Sequence, residues 1–217
     1  MTIQHPAQTR SRPRPGQPTW EVALLYPAQG DWTVQQYLDL DTNHLVEFDD
    51  GVLEFLPMPT EFHQCLMLFL YKVLERFVSK RGVGMVLAAP MKVRVDPKKY
   101  REPDVLFMFK ANAQRRHNQY WDGADLVMEV VSPDDPRRDF EEKPDDYAAA
   151  GIREYWIIDP KKRQIAVLTL KNGRYVERGL YGVGRRATSS LLKGFGVDVS
   201  KLFNAADAAR ESGGSDE

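Results

Sequence analysis

Two stretches of this chain are almost wholly apolar, and each carries an acid. Asp104-Val-Leu-Phe-Met-Phe109 has a carboxylate at its first position, and Asp125-Leu-Val-Met-Glu-Val-Val131 has Glu129 set inside it. Apolar runs without alternation are the pattern of strands covered on both faces, so layers are required above and below them. A third such run, Glu154-Tyr-Trp-Ile-Ile158, is stopped by Asp159-Pro160. A chain built around these runs must be a mixed central sheet flanked by helices, α/β in the broad sense (α+β).

The flanking elements are marked by local signals. Thr33-Val-Gln-Gln36 has the form of a capping box, which starts a short helix to about Leu40. LVEFDDGVLEFL reads as an N-terminal hairpin turning at Asp49-Asp50-Gly51. Thr60 caps a long helix whose apolar residues fall at Phe62, Cys65, Leu66, Phe69, Leu70, Val73, Leu74 and Phe77, one buried stripe, and Gly82 ends it. VGMVLAAP and MKVRV read as strands, and residues 110–122 as a polar loop with room for a short helix. Ser132-Pro133-Asp134-Asp135-Pro136 breaks the Glu129 strand, and a helix follows from about Arg138 to Ala150. Gln164–Leu170 and Arg174–Arg178 form a C-terminal hairpin about Asn172-Gly173. A strand and a short helix lie between Leu191 and Phe203.

Length and charge bound the rest. At 217 residues the chain can bury a core without disulfides, and its one cysteine, Cys65, excludes a disulfide framework or a Cys-rich zinc site. Thirty basic and 31 acidic residues give a net charge of -1, which excludes a strongly cationic coat protein but not a local basic patch. No run approaches the roughly 20 apolar residues of a membrane helix. The expectation is a cytoplasmic protein with no membrane partner. Residues 1–18 read as a disordered basic, Pro-rich arm, 19–205 as one domain, and 206–217 as a flexible acidic tail.

A carboxylate inside an apolar strand is costly unless it is paired or holds a cation. Acids on neighbouring strands, such as Asp104 and Glu129, face one cleft and can share a hard cation, Mg2+ or Mn2+. The plainer reading pairs Glu129 with an arginine, Arg101 or Arg153. Lys143, on the following helix, is on its own an ordinary helical lysine; beside two acids and a metal it can hold a phosphate oxygen or position water. His63 lies off the centre of the long helix's stripe, where a histidine more often bonds a backbone group than a metal. HExxH, GxxxxGK, GxGxxG and GxSxG are all absent from the sequence.

The segments DDGVLEFLPMPTEFHQ, EPDVLFM and LVMEVVSPDDPRRDFEEKPDDYAAAGIREYWIIDP resemble the Uma-type putative restriction endonucleases, a bacterial family of the PD-(D/E)xK nuclease superfamily. The resemblance spans about residues 30–200. It implies a restriction-endonuclease-like fold in which Asp104, of Pro103-Asp104, and Glu129 bind Mg2+. The superfamily's usual lysine position holds Val131 instead. The resemblance implies that Lys143 replaces it, with Glu47 and His63 as accessory residues. Pro144, directly after Lys143, is the departure: the residue before a proline is pushed away from helical geometry, so the helix either starts there or kinks.

Three readings of function follow. The first is a Mg2+-dependent endonuclease on nucleic acid, double-stranded DNA above RNA, working as a homodimer. Arg101, Arg137 and Arg138 would then be among the basic residues touching phosphate. The second is a nuclease-fold relative that only binds nucleic acid or protein. The third is an interaction protein, for which Asp104, Glu129 and Lys143 should point away from one another.

Overall fold

The computed structural model describes residues 23, 25–132 and 137–212. The expected N-terminal arm and the break at Pro133–Pro136 lie outside the described residues, as does the end of the expected tail. Helix α1 (Val34–Leu38) starts on a complete capping box between Thr33 and Gln36. Strands β1 (Val46–Asp49) and β2 (Val52–Phe55) form the first hairpin. Asp50 and Gly51 turn it with φ of 40° and 91°, the paired positive values of a type I′ turn.

Helix α2 (Glu61–Arg81) begins where the Thr60 side chain accepts the His63 backbone N–H and ends at Gly82 in left-handed geometry. Its buried stripe is Leu66, Leu70, Leu74 and Val78. Strands β3 (Gly84–Ala88), β4 (Lys92–Asp96), β5 (Lys99–Arg101) and β6 (Val105–Phe109) follow. The polar segment after β6 holds a 3-10 helix, Lys110–Arg115, and then the short strand β7 (Tyr120–Asp122). Strand β8 (Leu126–Val130) carries Glu129. After the undescribed break come a π-helical turn, Arg138–Glu142, helix α3 (Lys143–Ala149) and strand β9 (Glu154–Asp159). The second hairpin joins β10 (Gln164–Lys171) to β11 (Arg174–Gly182), again through positive φ at Asn172 and Gly173. The short ladder of β12 (Arg186–Thr188) and β13 (Gly196–Asp198) leads into α4 (Val199–Ser212).

The strands divide into two larger sheets rather than one. The main sheet has the order β11-β10-β9-β8-β6-β3, with β8 and β9 parallel and its other pairs antiparallel. One face packs on α2 and α4 through Leu70, Leu74, Phe107, Met128, Trp156 and Phe203. The other packs against α3 and β4 through Val93, Leu106, Val127, Tyr147 and Tyr155. Both faces are therefore covered, which is why β6 and β8 can be apolar throughout. The second sheet, β2-β1-β5-β4-β7, folds around Tyr37, Val46, Phe48 and Tyr100. Helix α4 extends past residue 206, where a tail was expected, because Leu202, Phe203 and Ala206 are buried in the main core.

Candidate active site

The pairing of β6 with β8 sets the site. Val105 lies opposite Met128, so the next rung joins Asp104, just before β6, to Glu129. The Val130 backbone N–H donates to Asp104 Oδ2 at 2.7 Å, and the Asp104 N–H points at Glu129 Oε2 across 3.4 Å. The two acids thus open into one cleft of about 200 Å³ that His63, Arg138, Asp139 and Lys143 also line.

His63 reaches this cleft from the first turn of α2. Its Nε2 lies 3.3 Å from Asp104 Oδ2 and donates to the Val130 carbonyl at 3.1 Å. With Nε2 engaged in this way, His63 orients Asp104 and fixes the end of β8. The ring is buried, which opposes protonation, but the Asp104 carboxylate beside it wins and holds its pKa above the usual value. His63 Nδ1 is buried without a partner among the described residues.

Lys143 also arrives. Its Nζ lies 3.1 Å from Glu129 Oε1 and 2.8 Å from Asp139 Oδ1. Pro144 does not turn it away: of the two expected outcomes the helix takes the first, starting at Lys143, where the backbone is helical (φ -59°, ψ -36°). The π turn explains this. The Lys143 N–H donates five residues back, to Arg138 O, and Pro144 takes a first-turn position of α3 where no donor is required. The wider turn also relieves the contact between the proline ring and the preceding turn.

Tyr147, one turn further along α3, donates its hydroxyl to Glu129 Oε1 at 2.5 Å. Neither Arg101 nor Arg153 pairs with Glu129: Arg153 goes to Asp125, and Arg101 to Glu47 and Asp146. Asp139 and Tyr147 hold no assigned role in the sequence reading. Their spacing with Lys143, every fourth residue, was the available signal.

The electrostatics of Glu129 are unusual for a glutamate. Burial raises its pKa and Lys143 lowers it, but Asp104 and Asp139 add to the rise, and the carboxyl stands at about 7. Glu102, lining the same cleft, is likewise pushed up to about 7 by burial, against Lys92 and with Glu47. Among the described lining residues, the five acids Glu54, Glu102, Asp104, Glu129 and Asp139 face three basic groups, His63, Arg138 and Lys143. A cleft of that balance repels a phosphate unless a cation enters with it.

Glu47 and Arg101 lie outside the lining of the acid cleft. Glu47 is 1 % exposed and holds a buried ion network: Oε2 takes Arg101 Nη1 at 2.6 Å and also Arg138 Nη2, while Oε1 accepts the Glu102 N–H at 3.0 Å. Glu47 therefore braces the second sheet against the turn that carries Lys143. Arg101 was expected to touch nucleic acid, but it is 4 % exposed and its fork is filled by Glu47 and Asp146. Arg101 is not among the residues that line the acid cleft. Arg138 lines the cleft, held by Glu47 and Glu54, and Arg137 is exposed beside Glu141.

The donors suit a hard cation. Mg2+ takes one or two carboxylates and keeps several waters. Asp104 and Glu129 supply two such groups from rigid strands, in a cleft with excess negative charge. No cluster of three or more His, Cys, Asp or Glu side chains is gathered for a metal among the described residues.

Comparison with known proteins gives the family and the fold. The family described as Uma2, putative restriction endonuclease, matches residues 34–200. The chain belongs to this family. Its fold is similar to that of a putative nuclease of DUF820 from Anabaena variabilis. The TM-score is 0.65 at 16 % sequence identity, with 81 % of this chain and 99 % of that one covered. No curated protein matches the sequence. The family is thus one of nuclease-like proteins, and the mixed sheets flanked by helices are its fold. No described helix is long and apolar enough to cross a membrane.

Proposed function

We propose that the protein is a divalent-metal-dependent endonuclease acting on DNA. The observation that carries this reading is the convergence of Asp104 and Glu129, from paired strands, with the Lys143 amine 3.1 Å from Glu129. Asp104, Glu129 and Lys143 share one cleft, which is the opposite of the arrangement a purely structural protein would need.

Asp104 and Glu129 would hold Mg2+ or Mn2+, which supplies charge neutralisation and an activated water for phosphodiester hydrolysis. His63 holds Asp104 in place. Tyr147 and Lys143 fix Glu129 Oε1, leaving Oε2 toward Asp104. Lys143, once a phosphate enters, offers its one remaining donor to a non-bridging oxygen. Arg138 lines the cleft but is held by Glu47 and Glu54, so the exposed Arg137, its neighbour in the chain, is the phosphate contact we propose. A site of this kind cuts one strand, so duplex cleavage calls for two copies. We propose a homodimer paired through the exposed edge of β11, where Val176 and Leu180 are 47 % and 53 % exposed.

Plasmid nicking and Mn2+ titration on the same variants test the reading. Asp104→Asn and Glu129→Gln should lose cation binding and nicking together. Lys143→Ala should cut nicking about a hundredfold while binding Mn2+ as the parent does. Full nicking by Glu129→Gln would refute the assignment. Light scattering should give twice the 24.9 kDa chain mass, and a monomer at micromolar concentration would rule out the pairing.

A further inference from the structure

A second cavity, of about 450 Å³, opens beside the acid cleft. Leu45, Met58, Pro59, His63, Glu102 and Asp104 line both, so the two are compartments of one trough. A chain whose phosphate lies against Asp104 and Glu129 would carry its next nucleotide along this trough, toward one compartment end or the other.

The larger compartment differs in chemistry from the acid cleft. Much of its wall is thioether, ring and aliphatic surface, with Met67 and Pro90 joining the shared Met58, Pro59 and Leu45. Its neutral polar side chains include Thr42, Asn43 and Gln64. Lys92 is its one lysine or arginine among the described residues, and it is already committed, 3.8 Å from Glu102 and 5.2 Å from the centre of the Tyr37 ring. Glu102 and Asp104 bring two carboxylates. A phosphate or other anion would find no spare cation there. A neutral group with a flat apolar face and a polar edge suits both the thioether walls and the amides and hydroxyl around them.

We propose that this compartment receives the unstacked base of the nucleotide next to the scissile phosphate, so that the protein acts on unpaired nucleotides, in single strands or in locally opened duplex. The proposal rests on the nuclease reading of the acid cleft. A base held in a stacked duplex cannot enter a side pocket of this kind without being turned out of the helix, and that costs least where it is already unpaired. Contact between base faces and protein is worth enough to be measured and tolerates any base.

Fluorescence anisotropy with Ca2+ present tests it on the intact protein. The probes are a fluorescein-labelled thymidine decamer, the same decamer with every base replaced by an abasic tetrahydrofuran unit, and the thymidine decamer annealed to its complement. The thymidine strand should bind about tenfold more tightly than the abasic strand, and more tightly than the duplex. Gln64→Trp and Asn43→Trp, which fill the compartment from exposed positions on different segments, should each remove most of that preference and leave abasic binding unchanged. Equal binding of thymidine and abasic strands, a duplex that binds as well as the single strand, or a base preference that survives in both filled variants would overturn the proposal. Mn2+-dependent plasmid nicking by the parent protein reports the nuclease reading separately. Nicking without base preference defeats the pocket alone, whereas base preference without nicking defeats the nuclease reading and leaves the pocket as a binding site.

Discussion

Glu47 and Glu129 are both glutamates in strands, and both are almost fully buried, at 1 % and 2 % exposure. Their surroundings drive them in opposite directions. Around Glu47, burial raises the pKa, but Lys143, Arg101 and Arg138 overcome it and hold the carboxyl below its usual range. Around Glu129, burial acts with Asp104 and Asp139 against one cation, Lys143, and the Tyr147 hydroxyl, and the carboxyl rises to about 7. The same residue type in the same kind of place is a brace between several cations in one sheet and an acid held by a single cation in the other. What separates them is the count of cations within reach. A buried acid with too few is where a metal or a substrate phosphate complex enters the account.

The largest effect that sharpens this contrast is on stability. Glu47→Gln leaves the Arg101 and Arg138 forks without their shared carboxylate in the interior, and breaking a buried pair from one side costs about 3–5 kcal/mol. Glu129→Gln removes a charge that the fold tolerates poorly. In urea unfolding at pH 8, Glu47→Gln should therefore lose several times more stability than Glu129→Gln, although Glu129→Gln is the variant expected to stop nicking. Equal losses would erase the distinction between brace and site.

The next effect is a slope with pH. Glu47 is held below its unfolded value, so its contribution is complete above that value, near 4.5, and is lost as the pH falls through the folded one. One proton gives a slope of at most about 1.4 kcal/mol per pH unit. Unfolding free energies measured from pH 5 to pH 3 should fall more steeply for the parent than for Glu47→Gln, with the excess within that limit. Parallel curves would mean that Glu47 does not titrate differently on folding.

The contrast also shows what was legible in the sequence. Hairpins turning at Asp50-Gly51 and Asn172-Gly173, and the Thr60 and Gly82 caps, are local signals, and each lies where local chemistry put it. Asp104, Glu129 and Lys143 were visible because an acid inside an apolar run has to be explained, and the family pattern placed the lysine. The second sheet was not visible as such. Its strands β5 and β7 are three residues each, too short for a period, and hold together only through partners far away in the chain. Arg101 was misjudged for the same reason: sequence displays its charge but not Glu47, 54 residues away, or Asp146, 45 residues away. Asp139 and Tyr147 were within reach of a helical spacing argument, since they flank Lys143 at intervals of four.

Pro144 provides the smallest and most pointed test of how the site side of the comparison is built. The π turn at Arg138–Glu142 places Lys143 so that one amine reaches both Asp139 and Glu129. Without an N–H at residue 144, an ordinary α-helical register has no donor to offer there, and the wider turn loses nothing by comparison. Pro144→Ala restores the donor and lets the α register compete across residues 138–144. Stability should change by less than about 1 kcal/mol, because a lost conformational restriction offsets a gained hydrogen bond. Nicking should fall severalfold, since Lys143 swings relative to β8 whenever the π turn closes. Mn2+ affinity should stay near the parent value, because Asp104 and Glu129 stand on the sheet and not on this helix. If Pro144→Ala nicks as well as the parent, the two carboxylates alone hold the lysine, and the proline has no part in placing it.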